Sequence, residues 1–296
     1  MSLKINSDLI GIFYILLASL SVAILPNSAK FAMSDGAGMI TLMVTRGIIG
    51  LVLLISLLLI TRTSFFLPKS LILISIINGL LALGMIAALY AAIIYIDISL
   101  SILILCLFPV VIAIISHLRG VEIVSLIQWL CILFVLFGLS LLILSDKSSV
   151  SFLGIFFSLI GMIFAVIITF LSEKMTNEIG ALTTTFYLNA WGLLFLLIIL
   201  TSFSKYLPPQ SNMGWVAMAL NGVFNIGAWV FFFAGMQRIG ATRASMLTSV
   251  DPIFSAILAY LLFNQFFSAP QWVGFFLVII SLFCFEYFKK KVNILG

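Results

Sequence analysis

"LTSVDPIFSAILAYLLF", residues 247–263, sets a carboxylate, Asp251, beside a helix breaker, Pro252, in a run otherwise apolar or hydroxylic. In water such a pair would mark an ordinary turn. The surrounding composition says that water is not the setting. Of 296 residues, 64% are hydrophobic and 8% charged, with mean hydropathy +1.36; a soluble domain carries about 25% charged residues. Charge-free stretches lie at 9–29, 70–96, 123–145, 148–172, 179–204 and 206–237. Each is long enough for a helix of about 20 residues to cross a hydrocarbon core of roughly 30 Å. The period-two alternation of a membrane barrel is absent. The expected fold is therefore an all-α membrane protein.

Ten transmembrane spans are expected near 9–29, 38–60, 70–94, 97–116, 124–144, 152–172, 181–203, 213–236, 240–263 and 270–287, separated by turn-rich loops such as "SDGAG" and "YLPPQSNMG". The first apolar run is long for a signal peptide and no A-x-A site follows, so it is expected to be retained. An even number of spans puts both termini on one side. With the N-terminus inside, that side holds Lys4, Arg62, Lys69, Arg119, Lys174, Arg238, Arg243, Lys289, Lys290 and Lys291, against Lys30, Lys147 and Lys205 outside. The bias places both termini in the cytoplasm, in a multi-pass protein of the cell inner membrane. Cys106, Cys131 and Cys284 lie in apolar runs without ligand spacing and read as small packed hydrophobes. The single histidine, His117, reads as interfacial, since it has no metal-ligand cluster around it. Trp129, Trp215 and Trp272 lie near span ends, as interfacial anchors do.

Sliding the sequence 143 positions along itself brings rare residues together. Asn78-Gly79 meets Asn221-Gly222, Pro109 meets Pro252, and Gln128-Trp129 meets Gln271-Trp272. "LIGIF" at 9–13 also meets "FLGIF" at 152–156. This points to a duplication, with five-helix repeats at 1–147 and 148–296. An odd number of spans per repeat makes the second enter the membrane from the opposite side. Two inverted five-helix repeats are the expected architecture, with the substrate site near the midplane between them.

The chain resembles the drug/metabolite transporter superfamily, in particular its EamA-type members, over essentially its whole length. The residues that carry the resemblance are "RIGATRASMLTSVDPIFSAILAYLLF" followed by "APQWVGFFLVIISL" and their first-half counterparts "YIDISLSILILCLFPVVIAIISHLRGVE" and "IQWLCILFVLFGLSLLI", together with Arg46 in the second span. The resemblance implies a permease of small molecules. In such proteins a Glu commonly ends the loop after the fourth and ninth spans. Glu122 fits the first place and Gln265 stands at the second. A Glu often precedes the ninth-span proline; Asp251 stands there, and Phe108 at the first-half equivalent.

Charges inside the bilayer cost about 2.5–3.5 kcal/mol each on insertion scales and are functional candidates by default. Arg46 lies roughly 12 Å deep and Asp251 near mid-depth, counted at about 1.5 Å per residue. They are expected either to pair structurally or to meet a substrate charge or a proton. Ser245, Thr248, Pro252 and Ser255 share one face of the ninth span, with Asp251 at its edge. Pro252 lacks an N–H and frees a carbonyl one turn back, which is tolerated at membrane depth where it lines a cavity. Asn221, Asn225 and Trp229 form a second stripe on the eighth span; Asn225 and Trp229 lack polar counterparts at the repeat offset and are the better substrate contacts. Asn78 and Asn221 fit hydrogen bonds between helices. Tyr90 and Trp191 complete the candidate binding set, with Trp191 and Tyr187 equally readable as anchors at the lipid interface.

The expected function is secondary transport of a small polar or amphipathic metabolite, such as an amino acid, by alternating access. Its partners are that solute, the lipid bilayer and a candidate coupling proton, with no cofactor, metal or nucleic acid, in a monomer or homodimer. A membrane-embedded structural or channel-like protein is the alternative. An enzyme would need converging catalytic groups, and nine scattered carboxylates with one histidine do not supply them. No Walker A sequence is present for ATP.

Overall fold

A computed structural model describes residues 2–93, 95–96, 101, 104–121, 123–143, 151–200, 206–251, 253–254, 257–258, 261 and 268–295. Helices are the expected outcome in lipid, because each backbone N–H must find its acceptor within the chain. Ten α-helices are found among these residues. They are α1 (Ser2–Ser34), α2 (Met39–Ile60), α3 (Lys69–Ile93), α4 (Phe108–Leu118), α5 (Leu126–Ile143), α6 (Phe152–Ile179), α7 (Ala181–Leu200), α8 (Asn212–Ile239), α9 (Ala241–Leu247) and α10 (Ala269–Leu295). Six of them, α1, α2, α3, α6, α7 and α8, are long and apolar enough to cross a membrane; Phe108–Leu118, Leu126–Leu141 and Trp272–Phe285 are shorter apolar segments. The fourth and ninth spans, expected over 97–116 and 240–263 with a proline break in each, are interrupted near their prolines. Pro109 sits in the first turn of α4, where its missing N–H costs nothing.

The chain packs as two compact units, one of Met1–Leu83 with Ile167–Ile239 and one of Gly84–Val166 with Gly240–Gly296. The repeats are units of sequence, whereas these are units of packing, and each draws on both halves of the chain.

In the first unit α1 and α8 run antiparallel. A Cβ on Gly11 would lie 2.6 Å from Ile239 Cγ2, one on Gly235 2.5 Å from Ile15 Cδ1, and one on Gly227 3.3 Å from Ser21 Oγ. Asn221 then donates to Leu25 O at 2.9 Å and to Ser28 Oγ at 3.0 Å. Lipid gives no hydrophobic drive between helices, so close backbone approach over small residues and interhelical hydrogen bonds supply the association. These contacts run from Gly11 to Ser28, about 26 Å along the helix. Ile15, Leu54, Leu58, Met218 and Phe233 fill the unit's interior.

The second unit repeats this pairing with α3 and α6. A Cβ on Gly154 would lie 2.5 Å from Ile96 Cγ2, and one on Gly84 2.9 Å from Phe164 Cε2. Gly154 and Ile96 are the 143-residue counterparts of Gly11 and Ile239, and Phe164 and Gly84 those of Ser21 and Gly227. The two repeats have exchanged partners: a helix of one half meets the same position of the other half in both cases. Asn78 follows suit in the first unit, donating to Ser172 Oγ at 2.8 Å as Asn221 does to Ser28. Elsewhere in the second unit α5 packs on α10. Gly138 lies against Gly274 O and Val278 within a core of Ile132, Val135, Leu139, Leu282 and Phe285.

Each of these asparagines bonds through its amide N–H while its Oδ1 is buried and accepts nothing among the described residues. The interhelical bond, about 0.6 kcal/mol, is offset by the desolvated carbonyl. Asn78→Leu and Asn221→Leu are therefore expected to change unfolding stability in detergent by less than about 1 kcal/mol each and to leave transport intact. Loss of uptake in a folded Asn78→Leu variant would move this residue from scaffold to site.

Candidate functional site

The polar break of the second unit is built by three successive hydrogen bonds. Gly240, at φ 81°, lets α8 stop and α9 start without a loop, in a backbone conformation that favours glycine. Ser245 Oγ then donates to Thr242 O at 3.0 Å and Thr248 Oγ1 to Ser245 O at 2.7 Å. From Thr248 to Val250 the helix tightens to 3-10 geometry, and the Asp251 N–H closes the turn on Thr248 O. Both hydroxyls are thus spent as donors on their own helix and keep only acceptor capacity. Ser245 is fully buried; Thr248 and Asp251 are half-buried. Pro252, Ser255, Glu122 and Gln265 lie outside the described residues.

The first half has a break at the matching place. Cys106 and Leu107 form a turn ahead of α4, with Leu107 N–H donating to Ile104 O at 3.1 Å. Their 143-residue counterparts are Ser249 and Val250, inside the 3-10 turn. Helix α9 packs on α4, and Cys106 is partly buried against a hydrophobic core that includes Met246, Ile253 and Phe285. By sequence alone Cys106 is a small hydrophobe.

The remaining candidates lie in the first unit, except Tyr90, which belongs to the second-unit part of α3. Arg46 on α2 and Asn225 and Trp229 on α8 are half-buried, and the Trp229 and Phe233 ring centroids are 5.4 Å apart. Asn221, one turn before Asn225, is tied to α1. The stripe on α8 therefore begins as scaffold and continues as two partly accessible side chains. Trp191 is held more tightly: its Nε1–H donates to Ser75 Oγ at 3.1 Å, and Gly79 packs against its Cβ. Its ring also lies 6.4 Å from that of Phe195, centroid to centroid. Beside Arg46, Asn189 Nδ2 donates to Gly47 O at 3.0 Å. Asn189 is the 143-residue counterpart of Arg46, so the offset was the available signal. The structure brings Ser245, Thr248 and Asp251 together on one broken helix, and Asn225 with Trp229 on one face.

His117 does local structural work. Its Nδ1 accepts the Val124 N–H at 3.2 Å and its ring meets Trp129 edge-on at 6.2 Å. Trp215 and Trp272 are partly exposed near the starts of α8 and α10.

Comparisons with known proteins agree with this architecture. The EamA-like transporter family profile matches twice, over residues 9–144 and 152–287. The chain is 26% identical over 137 residues to the "Uncharacterized inner membrane transporter YicL" of Salmonella typhimurium, covering 45% of this chain and 45% of that one. It is 24% identical over 201 residues to the "Solute carrier family 35 member B1 homolog" of Drosophila melanogaster, covering 62% and 58%. The chain thus spans about half the length of the curated relatives it matches. A solved crystal structure superposes with a TM-score of 0.76 at 18% identity, covering 95% of this chain and 98% of the other, which speaks to the fold alone. With six helices long and apolar enough to cross a membrane, the chain belongs to the EamA-like transporter family.

Proposed function

We propose that the protein is a secondary transporter of a small polar or amphipathic metabolite, amino acids being the first class to test. It works by alternating access between inverted repeats at 1–147 and 148–296. The observation that carries this reading is the exchange of partners between the halves. Gly11 meets Ile239 as Gly154 meets Ile96, which is the pattern expected when a two-fold operation swaps the repeats. Near-equivalent halves permit two packings of similar energy, one open to each side. The matched breaks at Cys106–Leu107 and Thr248–Val250 support a site at membrane depth, where irregular backbone is tolerated beside a cavity.

In this reading Asp251, Ser245, Thr248, Tyr90, Arg46, Asn225, Trp229 and Trp191 are the residues that provide the solute's contacts. Asp251 receives an amino group or a coupling proton. Both termini are cytoplasmic and the membrane is the inner one, a placement favoured by the charge bias and by the inner-membrane relative. Uptake into proteoliposomes of amino acids, amines and nucleosides, with and without a pH gradient, tests the function. Signal from none of these classes would remove the reading. A bulky thiol reagent applied to Asn225→Cys is expected to block uptake, and saturating solute is expected to slow the modification severalfold. Modification at the same rate with and without solute would take Asn225 out of the site.

A further inference from the structure

We propose that α1, α2, α7 and α8 travel as one rigid body through the transport cycle, clasped at both ends by contacts that never open. The inference rests on the alternating-access reading and concerns only the first unit.

One clasp joins the α1–α2 turn to the segment before α8. Gly38 N–H donates to Leu207 O at 2.8 Å, Leu207 N–H to Thr41 Oγ1 at 2.9 Å, and Gln210 N–H to Asp35 O at 2.9 Å. Asp35 Oδ2 accepts both the N–H and the Oγ–H of Ser211, at 2.8 and 2.9 Å. Ser211 Oγ in turn accepts the Gly214 N–H at 3.1 Å. A carboxylate thereby sits at the N-terminus of α8, where the helix dipole and the unfilled amides favour it. Gly36, at φ 94°, makes the turn that brings Asp35 there.

The other clasp joins the segment after α2 to the start of α7. Thr183 Oγ1 donates to Ser64 O at 3.1 Å and Tyr187 OH to Phe65 O at 2.7 Å, with the Phe65 and Phe186 rings edge-to-face at 5.5 Å. Thr41 and Ser64 flank the 22 residues of α2, about 33 Å of helix, so the clasps lie at opposite ends of the unit.

Their placement follows the repeat. Leu207 is the 143-residue counterpart of Ser64, and Thr184, the neighbour of Thr183, is that of Thr41. In a cycle run by inverted repeats, matched elements exchange roles, so a gate closed at one end is open at its counterpart. Here both are closed in one conformation. An occluded intermediate would also close both gates, and cross-linking separates that case from a permanent clasp.

A Cβ on Gly38 would lie 3.1 Å from Leu207 Cβ, close to the approach a disulfide needs. Gly38→Cys with Leu207→Cys, and separately Ser64→Cys with Thr183→Cys, are to be oxidised in the full chain. The single-cysteine variants control for the native thiols. Each cross-linked protein is expected to take up solute within twofold of its reduced form. Uptake abolished by oxidation and restored by reductant would make the clasp a gate and overturn the inference. Hydrogen exchange of the unmodified protein gives a readout independent of any solute. Segments 35–41 and 206–214 are expected to exchange slowly and with one mass envelope. Fast or bimodal exchange overturns the inference even in a protein with no measurable uptake, whereas absent uptake with slow exchange counts only against the transport reading.

Discussion

Replacing Asp251 with Asn is expected to leave the protein folded and to cut uptake about ten- to a hundredfold. The magnitude is that of one hydrogen bond to a charged group, about 1.5–3 kcal/mol, at about a factor of ten for each 1.4 kcal/mol. Asp251 closes the 3-10 turn through its backbone N–H, which Asn keeps, so local geometry survives the change. The residue as a whole is half-buried, with its Oδ1 buried. A purely structural ion pair would fail differently. Breaking one partner of a buried pair costs about 3–5 kcal/mol, and folded protein would fall with uptake in proportion. Expression, thermal stability and uptake must therefore be measured on one preparation. If Asp251 carries a coupling proton, the variant also loses the dependence of uptake on the pH gradient. Normal uptake with normal pH dependence in folded Asp251→Asn would refute the assignment.

The features legible in the sequence were those with a rare residue behind them. Pro109 and Pro252 announced the two interrupted spans, although the break falls just before each proline, at Cys106–Leu107 and Thr248–Val250. The Asn-Gly pairs announced the repeat and marked the two amides that tie α3 to α6 and α8 to α1. Other features depended on which helices become neighbours. Asp35 and Ser211 are 176 positions apart, and no periodicity links a turn carboxylate to a distant helix cap. Trp191 read equally as anchor or cavity wall because its partner, Ser75, is one of many serines. The composition of each packing unit from both repeats was hidden for the same reason: the duplication specifies matched positions but not who exchanges with whom.

That exchange predicts matched damage. Gly11→Ala and Gly154→Ala are expected to destabilise the protein by similar amounts, about 1–3 kcal/mol each, the range for overpacking a filled interior. In both cases the new methyl would meet an Ile Cγ2, at 2.6 Å from Ile239 and 2.5 Å from Ile96. Both isoleucines are buried, 5% and 4% exposed, and β-branched side chains have little freedom at χ1 to move aside. Gly192→Ala is the control, since a Cβ there would meet only Gly79 O at 3.6 Å; a change within about 0.5 kcal/mol is expected. Removing the obstructing methyl should restore stability relative to the single glycine variant, so Gly11→Ala with Ile239→Ala, and Gly154→Ala with Ile96→Ala, should show coupling of about 0.5–3 kcal/mol. The mismatched combinations, Gly11→Ala with Ile96→Ala and Gly154→Ala with Ile239→Ala, should be additive. Unfolding measured in detergent across the full set decides the point. Coupling in one matched pair and none in the other would mean that the two halves pack by different rules, and the two-fold exchange behind the proposed alternating access would lose its physical basis.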